Sequence, residues 1–423
     1  MTETERIVPE LRFKGFIDDW EQRKLGDTFE FSVSTNSLSR AQLNYEKGNI
    51  KSIHYGDILI KYNSILEITK DKIPFITDGS IEKYKPNLLE NGDVVFADAA
   101  EDETVGKAVE INGISDEYVV AGLHTIVARP KEKMAKYFSG YYINADVYQR
   151  QLLRLMQGTK VSSISKGNLK KTIVAYPKNL AEQQKIGSFF KQLDNAIALH
   201  QRKLTLLQRL KQTYMQGMFP QNWENIPSLR LDGFSEPWEQ RKLGELSEIV
   251  RGASPRPIQD PKWFDSNSNV GWLRISDVTE QNGRITYLEQ KISKAGQEKT
   301  RVLFEPHLLL SIAATVGKPV VNYVNTGVHD GFLIFLNPIF DREYMFQWLE
   351  MFRPKWQKYG QPGSQVNLNS ELVRNQDILL PSMEEQTKIG IIFKQLDDSI
   401  ALHQCKLEKL IELKHVLLEK MFL

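Results

Sequence analysis

The chain has 423 residues, of which 41% are hydrophobic and 26% are charged, so its composition excludes wholesale disorder and its length predicts at least two folded units. No apolar run approaches the roughly 18 residues of a membrane helix, the first residues lack a signal-peptide pattern, and the single cysteine, Cys405, excludes an internal disulfide, so we expect a cytoplasmic protein. The formal net charge is only +2, and any nucleic-acid surface must therefore come from local clusters of cations.

The first half of the chain begins with a short segment, residues 1–19, and continues into a variable body at 20–180. Runs of β-branched and aliphatic residues, separated by Gly, Asn and Asp, predict strands in this body. These runs are GDILIKY (56–62), GDVVFAD (92–98), KAVEING (107–113) and HTIVARP (124–130). With a helical stretch near 133–156, the pattern predicts an α+β domain dominated by antiparallel strands.

The second half repeats this plan. A long helix is predicted at 181–219, and a linker at 220–237 leads to a second variable body at 238–382. The strand-like runs of this body are GWLRISDV (271–278), HLLLSIAATVGKPVVNY (307–323) and FLIFLNP (332–338), followed by a helical stretch near 341–358. A second long helix is predicted at 383–423.

The two halves are an internal repeat. The word WEQRKLG stands at 20–26 and, letter for letter, at 238–244, within a longer match of 9–30 with 227–248. A second match pairs EQQKIGSFFKQLDNAIALHQRKL (182–204) with EQTKIGIIFKQLDDSIALHQCKL (385–407). Conserved ends around divergent middles indicate duplication, and they predict two domains of one fold with different surfaces. We expect the tryptophan and leucine of the repeated word to be buried, although the word could instead dock a partner.

Both long helices carry apolar residues at alternating spacings of four and three, which predicts a coiled-coil seam. The simplest way to bury two equivalent seams is an antiparallel, pseudo-two-fold pair, with each helix on the order of 50 Å long. His200, His403, Lys211 and Lys414 also fall on the seam, either as a register-fixing polar layer or as edge residues that reach solvent. The seam and partner-interface residues are Ile186, Phe190, Leu193, Ile197, Leu204, Leu207, Ile389, Phe393, Leu396, Ile400, Leu407 and Leu410.

Polar loops in the two bodies are the candidate contact surfaces, because Arg, Lys, Asn, Gln, Ser and Thr read base edges or hold phosphates. In the first body the candidate DNA-binding residues are Lys61, Tyr62, Asn63, Lys107, Thr159, Lys160, Ser162 and Ser163. In the second they are Arg251, Ser254, Arg256, Arg274, Lys318, Gln365, Asn367 and Asn369. Gly252 would allow close approach of the backbone to a ligand. Ordinary solvated loops are the alternative.

These words and their order resemble the specificity subunit of type I restriction–modification systems. The resemblance covers the whole chain and rests on WEQRKLG at the start of each body, IHYGDI (53–58), GASPRP with WLRISDV, and the two EQ-x-K-I-G helices. It implies two target-recognition domains, at 20–180 and 238–382, each of which reads one half of an asymmetric bipartite site in double-stranded DNA. It implies further that the two conserved helices set the gap between the half-sites and dock two modification subunits.

The same resemblance implies that the chemistry belongs to partners. The modification subunits would bind S-adenosylmethionine and methylate adenine, and the restriction subunits would use ATP and Mg, so that this chain holds no cofactor and no metal. The segment Asn337-Pro338-Ile339-Phe340 imitates an amino-methyltransferase motif but lacks its second proline and a preceding glycine-rich loop. We therefore expect no catalytic residue. The alternatives are a coiled-coil scaffold that reads no DNA and an autonomous adenine methyltransferase.

Overall fold

The computed structural model describes residues 7–157, 162–220, 224–312, 314–356 and 368–423, which form two compact units. Unit 1 consists of Met1–Gln201 with Cys405–Leu423, and unit 2 consists of Arg202–Gln404. The division passes through both long helices, so each unit contains a part of each helix. The segment boundaries drawn from the sequence, which follow the helix ends, do not coincide with these units.

Unit 1 combines short strands with short helices and a part of each long helix. Its strands are β1 Glu21–Lys24, β2 Phe29–Glu30, β3 Leu43–Asn44, β4 Ile50–Ile53, β5 Ile65–Glu67, β6 Phe75–Ile76, β7 Val94–Ala97, β8 Ala99–Ala100, β9 Ala108–Asn112, β10 Tyr118–Ala121, β11 Thr125–Pro130, β12 Ser162–Ser163 and β13 Ile173–Tyr176. Its helices are α1 Leu25–Thr28, α2 Tyr55–Ile60, α3 Ile81–Tyr84, α4 Phe138–Ile143, α5 Asp146–Leu153, α6 Lys166–Leu169 and the first part of α7 Leu180–Met218.

Unit 2 has the corresponding elements. Its strands are β14 Glu239–Lys242, β15 Glu248–Arg251, β16 Gly271–Trp272, β17 Arg284–Ile285, β18 Arg301–Leu303, β19 Leu308–Ser311, β20 Pro319–Asn322, β21 Thr326–Val328, β22 Phe332–Leu336 and β23 Asp377–Leu380. Its helices are α8 Leu243–Leu246, α9 Ile275–Glu280, α10 Lys294–Gln297, α11 Arg342–Trp356, α12 Ser370–Arg374 and most of α13 Met383–Met421. Among the helices formed by the described residues, none is long and apolar enough to cross a membrane.

The two units share one topology, which confirms the predicted pair of α+β domains. The five-stranded sheet has the order β2-β11-β7-β9-β5 in unit 1 and β15-β22-β19-β20-β17 in unit 2. In both sheets the last strand of this order joins in parallel, while the other pairings are antiparallel. A smaller sheet contains a second parallel pairing, β4 with β10 and β16 with β21. The sheets are thus mixed, although antiparallel ladders predominate as expected.

One predicted strand is wrong, and a second is much shorter than predicted. The run GDILIKY lies largely in helix α2, and in GWLRISDV only β16 is extended before α9 begins. The reason is N-terminal capping, which overrides β propensity here. The His54 imidazole accepts a hydrogen bond from the backbone N–H of Gly56, and the Asp277 carboxylate accepts one from the backbone N–H of Arg274. Each cap turns the chain from a strand into a short helix.

The core of each unit lies on both faces of its five-stranded sheet. In unit 1, one face packs against α4, α5 and the start of α7, and the other face packs beneath α2. Unit 2 has the same two layers, with α11 and α13 on one face and α9 on the other. Because successive side chains of a strand point to opposite faces of the sheet, each face packs against its own apolar layer. In each unit one of these two layers includes a long helix, and this packing fixes the helix to the domain.

The repeated word WEQRKLG is a structural element, as predicted. Trp20 and Trp238 are buried, as are Leu25 and Leu243, and the residues between them form β1 and β14. These strands pair antiparallel with β13 and β23, the strands that lead into the long helices. The word thus joins the beginning of each variable body to its end.

A buried ion pair ties the segment before each word to the start of a long helix. Arg12 donates two hydrogen bonds to Glu182, at 2.6 and 2.7 Å, and Arg230 donates two to Glu385, both at 2.9 Å. Both glutamate side chains are only 1% exposed. These glutamates begin the two EQ-x-K-I-G motifs. The bidentate geometry of the salt bridge fixes the orientation of the arginine relative to the helix, in addition to pairing the two charges.

The glutamine and glycine of the same motif hold the helix against the domain. Gln183 donates to the carbonyl of Pro177 and accepts from the N–H of Ala135, and Gln386 makes the equivalent bonds to Pro381 and Asp341. A Cβ on Gly187 would lie 2.5 Å from the Lys136 carbonyl oxygen, so only glycine allows this approach. The motif therefore serves packing.

The long helices pair antiparallel within each unit, which confirms the seam. In unit 1 the Phe190 ring stacks on Phe422, and Lys414 bonds to Asp194 at 2.5 Å. In unit 2 Phe393 stacks on Phe219, and Lys211 bonds to Asp397 at 2.5 Å. All twelve predicted apolar seam residues are buried or half-buried, and so are His200 and His403. Lys211 and Lys414 thus form ion pairs along the seam instead of reaching solvent alone.

The buried ion pair predicts a selective loss of stability. We expect Glu385→Ala to lower the free energy of unfolding of unit 2 by about 3–5 kcal/mol, because Arg230 is then left without its partner in a largely buried position. Denaturant unfolding followed by circular dichroism measures this change.

The neighbouring residue supplies the control for this experiment. Glu384 is 72% exposed and forms an ion pair with Lys388 one turn along the helix. Glu384→Ala should therefore cost about 0.5 kcal/mol or less. Equal losses for the two variants would contradict the anchoring role of Glu385.

Candidate nucleic-acid interface

Unit 2 contains an open cleft where three loops meet. The loops follow β15, β16 and β21, and they enclose about 630 Å³. Three predicted site residues line it together, Ser254, Arg256 and Arg274, beside Trp272 and His329. The cleft thus combines cations, a hydroxyl and aromatic edges, which is the mixture suited to base edges and phosphates.

Arg274 is held rigidly at the floor of this cleft. It precedes α9, and its guanidinium bonds to the two oxygens of Asp277, at 2.9 Å from Nη2 and 3.3 Å from Nε. Asp277 is 1% exposed, whereas the Arg274 side chain is 35% exposed. The hydrogen bond to Asp277 raises the pKa of Arg274, so the guanidinium stays charged. A buried carboxylate therefore presents a fixed cation to the cleft.

The rim of the cleft is organised by Asp330. Its carboxylate accepts hydrogen bonds from the Ser254 hydroxyl at 2.8 Å and from Arg256 Nη2 at 2.9 Å, and its backbone carbonyl accepts one from Arg251 Nε at 2.6 Å. Partial burial by itself raises the pKa of Asp330, but Ser254 and Arg256 outweigh it, and the pKa is lowered. Arg256 is 79% exposed, so its charge remains available at the rim.

Gly252 does not leave room for a ligand. A Cβ at this position would lie 2.1 Å from the carbonyl oxygen of His329, so the space is filled by the chain's own backbone. The glycine allows the loop after β15 to pack on the loop after β21, where its N–H bonds to the Phe332 carbonyl. The expected close approach is real, but it is internal to unit 2.

His329 belongs to the wall of the cleft. Its ring lies 4.8 Å from the Phe332 ring and 5.9 Å from the Trp272 ring. Burial lowers its pKa, so the imidazole is neutral at pH 7. Packing against these two rings accounts for this residue.

Unit 1 presents a different cation cluster at the same point of its fold. Asp57, the third residue of α2, is 3% exposed and accepts from Arg40 Nη1 at 2.5 Å and Lys61 Nζ at 2.8 Å. The Tyr45 hydroxyl accepts from the same two cations, at 2.5 and 2.7 Å. The Lys72 ammonium lies over the Tyr45 ring at 5.1 Å from its centroid. Three cations thus surround one tyrosine.

An aromatic group lies close to α2 as well. Tyr55 stands between His54, at 4.7 Å, and His124, at 5.2 Å. His124 Nδ1 approaches Asp98 at 3.3 Å, and His124 adopts a left-handed backbone with φ of 53°. Burial lowers the pKa of His54 and raises that of Asp98. His124 follows β10 as His329 follows β21 in unit 2.

The remaining predicted residues of unit 1 do not form one surface. Tyr62, Asn63 and Lys107 line a shallow cleft of about 380 Å³ that does not include Lys61. Tyr62 is a correction, because it is only 6% exposed, its ring packs in the apolar core and its hydroxyl donates to the Lys72 carbonyl at 3.4 Å. Lys107 is half-buried and donates to the Leu59 carbonyl at 3.0 Å, and Ser162 and Ser163 form β12. Thr159 and Lys160 lie outside the described residues.

Two predicted residues of unit 2 have structural partners. Lys318 is a correction, since its ammonium is 13% exposed and bonds to Glu350 at 2.5 Å and to Asn282 at 2.8 Å, which neutralises it inside the unit. The Asn369 side chain caps α12 by accepting from the Leu372 N–H at 2.8 Å. Gln365 and Asn367 lie outside the described residues.

Sequence reasoning missed the aspartates that organise both surfaces. Asp57 and Asp277 stand three residues after the cap of a short helix, in HYGD and RISD, and the capping-box spacing was a signal for them. Arg40 and Tyr45 carry no such local signal, because only the fold brings them to Asp57.

The described residues include one group with metal-ligand spacing. Asp146, His415 and Glu419 offer ligand atoms within 4.8 Å of one another, but all three are exposed. Exposed acidic groups of this kind are common without an ion, and we assign no metal to them.

Comparison with known proteins agrees with the fold. The family model described as type I restriction modification DNA specificity domain matches residues 17–209 and 235–413. A protein of Methanocaldococcus jannaschii named as the MjaX specificity subunit of a type I restriction enzyme is 22% identical over 408 residues, covering 93% of this chain and 90% of that protein. The MjaVIII specificity subunit of the same organism is 21% identical over 276 residues, covering 60% and 62%.

A solved structure shares the fold. The crystal structure of the S subunit of a type I restriction–modification system from M. genitalium has a TM-score of 0.64 with 15% identity, covering 98% of this chain and 99% of that chain.

The chain belongs to the type I restriction–modification DNA specificity family. Its two variable bodies are tandem target-recognition domains of a specificity subunit, and the resemblance found in the sequence is confirmed.

The packing at Gly252 predicts a further loss of stability. We expect Gly252→Ala to lower the free energy of unfolding of unit 2 by about 1–3 kcal/mol or more, because the new Cβ collides with backbone that cannot rotate away. Hydrogen exchange of the Gly252 and Ala253 amides, which bond to Phe332 and Val328, should speed up with it.

Gly167 in α6 of unit 1 provides a control for the substitution itself, measured on the unfolding of unit 1, since a Cβ there would meet nothing closer than 3.8 Å. Gly167→Ala should be neutral or stabilising, by up to about 1 kcal/mol. Unchanged stability and exchange in Gly252→Ala would refute the internal-packing role.

Proposed function

We propose that this chain is the DNA-reading, non-catalytic subunit of a type I restriction–modification complex, and that each target-recognition domain reads one half of an asymmetric bipartite site in double-stranded DNA. The observation that carries the proposal is the contrast between the cleft of unit 2 and the cation cluster at the same point of unit 1. One frame of sheet and short helix carries Arg274, Arg256 and Trp272 in unit 2, but Arg40, Lys61 and Tyr45 in unit 1. Equal frames with unlike polar groups suit two unlike half-sites.

The long helices support a role as spacer. Each has 39 residues, which at about 1.5 Å per residue gives a length of roughly 59 Å. Successive turns of the DNA are about 34 Å apart, so a helix of this length can span half-sites on neighbouring turns. We propose that the helix pair sets the gap between the half-sites.

The same helices offer surface for partner subunits. They expose apolar side chains that the seam does not use, among them Leu199 and Ile411 in unit 1 and Leu206 and Leu402 in unit 2, each at least 51% exposed. Such residues are candidates to dock two modification subunits. We assign binding of S-adenosylmethionine to those partners, and use of ATP and Mg to restriction subunits. This chain then determines only which DNA sequence the complex recognises.

The two alternative functions give different results in simple assays. A coiled-coil scaffold would bind partner proteins and show no preference among DNA sequences. An autonomous adenine methyltransferase would transfer a labelled methyl group to DNA without partners. Against the scaffold stand two complete domains with differently built polar surfaces, which such a protein would not need.

Domain exchange tests the proposal directly. Replacing residues 20–180 by the equivalent domain of another family member should change only one half of the sequence that the complex methylates, because the other domain is untouched. Methylome sequencing of cells that express the complex measures this. Replacing 238–382 instead should change only the other half. A change in both halves of the methylated sequence, or in neither half, would contradict the proposal.

Helix length tests the spacer. Insertion of one heptad into α7 within 186–215, together with one at the matching point of α13, lengthens the pair by about 10 Å while preserving the seam. The gap in the methylated sequence should grow by about three base pairs. Replacing a heptad without insertion is the control and should leave the gap alone. If the inserted variant kept the original gap, the helices would not be the spacer.

A further inference from the structure

Both units hold an arginine against a buried aspartate at the same point of the fold. Asp57 and Asp277 are each the third residue of a short helix, and each is nearly inaccessible to solvent. The helix follows a strand, β4 or β16, that pairs in parallel with β10 or β21. The guanidinium of Arg40 or Arg274 lies on this carboxylate.

The two arginines reach this place by different routes. Arg274 immediately precedes α9. Arg40, by contrast, comes from a segment well before α2, because β3 and β4 lie between them in the sequence. In the position of Arg274, unit 1 has His54, which caps α2. The repeat therefore preserves the aspartate but not the arginine, and each unit supplies a guanidinium from a separate part of its variable sequence. Inheritance of one local motif does not account for this pairing.

The bracing leaves part of each guanidinium free. The contact of Arg274 with Asp277 uses Nε and one hydrogen of Nη2, and the exposed Glu289 carboxylate accepts a hydrogen bond from Nη2 at 3.3 Å. Both hydrogens of Nη1 therefore remain for a ligand, and the outer hydrogen of Nη2 joins them when a base displaces Glu289. The fork faces the cleft beside Ser254 and Trp272. Because a carboxylate already fixes the fork, binding through it loses little side-chain entropy. Two parallel N–H donors in one plane match the O6 and N7 acceptors of guanine in the major groove.

The surrounding charge favours a base over a phosphate at Arg274. Glu289, which is 81% exposed, approaches Arg274 Nη2 at 3.3 Å, so two carboxylates flank this one cation. A phosphate would be repelled by both carboxylates, whereas the neutral edge of a base would not. In unit 1, Lys61 and Lys72 accompany Arg40 around Tyr45, and both are exposed, so they can contact the DNA backbone even though Lys61 also bonds to Asp57.

We propose that Arg274 and Arg40 are specificity-determining residues, each reading a guanine of the half-site that its unit recognises, with Asp277 and Asp57 as the positioning residues. This inference rests on the proposed function and adds a base identity and the residues that select it. Each half-site then contains one G·C pair whose recognition depends on a single braced arginine.

The test uses the full chain in complex with its modification subunits. Competition binding is measured on duplexes in which every position of the wild-type methylated site is varied in turn. Arg274→Lys, which keeps the charge but loses the planar fork, should reduce discrimination about ten- to hundredfold at one G·C position of one half-site. The other half-site should be unaffected. Asp277→Asn should weaken the same position, and Arg40→Lys should do the same in the opposite half-site.

Arg241 provides the matched control. It is also an arginine of unit 2 paired with a carboxylate, Glu245 at 2.9 Å, but it lies on β14 and does not line the cleft. Arg241→Ala should leave every position unchanged. Thermal unfolding of each variant shows whether unit 2 remains folded, and if Asp277→Asn unfolds, the comparison of Arg274→Lys with Arg241→Ala decides.

Three results would overturn the inference. Arg274→Lys and Arg274→Ala could leave discrimination intact, they could relax an A·T position, or Arg274→Ala could weaken binding to all sequences alike with a smaller salt dependence, which marks a phosphate contact. Failure of the proposed function looks different. In that case the wild-type complex itself shows no two-part sequence preference.

Discussion

The bidentate salt bridge between an entry arginine and the first turn of a long helix is the contact on which each unit depends. It joins Arg12 to Glu182 and Arg230 to Glu385, and in both cases the carboxylate is almost wholly removed from water. A carboxylate in that position is tolerated only with a partner of matched geometry. The helix, the entry segment and the two-stranded sheet formed by the repeated word are thereby held in one arrangement. The loops of the variable body can then diverge without loss of that arrangement.

Most of the architecture could be predicted from the sequence because it is written in periodic or repeated patterns. The seam of the long helices recurs every three and four residues from Ile186 and from Ile389, and burial follows that register. The shared sheet order of the units follows from the repeat. What failed was local: the run 56–62 has the composition of a strand, but a cap at His54 and an aspartate at Asp57 turn it into a helix. Capping is decided by one or two residues, and composition does not report it.

The recognition surfaces were only partly predictable for a related reason. Arg256 and Arg274 were found because they stand in polar loops, and they do line one cleft. Tyr62 and Lys318 stand in similar stretches but point into the core or onto Glu350. Arg40 was missed because its partner Asp57 is brought near by the fold and by no spacing in the chain. Residue type predicts what a side chain can bind, whereas tertiary contacts determine whether its charge is already satisfied.

The way in which the units share the helices has a consequence for the order of folding during synthesis. Phe422 packs among Trp20, Phe138, Tyr142 and Phe190 in unit 1, and its counterpart Phe219 packs on Tyr344 and Phe393 in unit 2. Unit 2 is a continuous stretch of chain, but unit 1 lacks Phe422 and the rest of its second helix segment until residues 405–423 have left the ribosome. The domain that is translated first is therefore completed last. Relative to one another, the two units are natural circular permutants that share a single polypeptide.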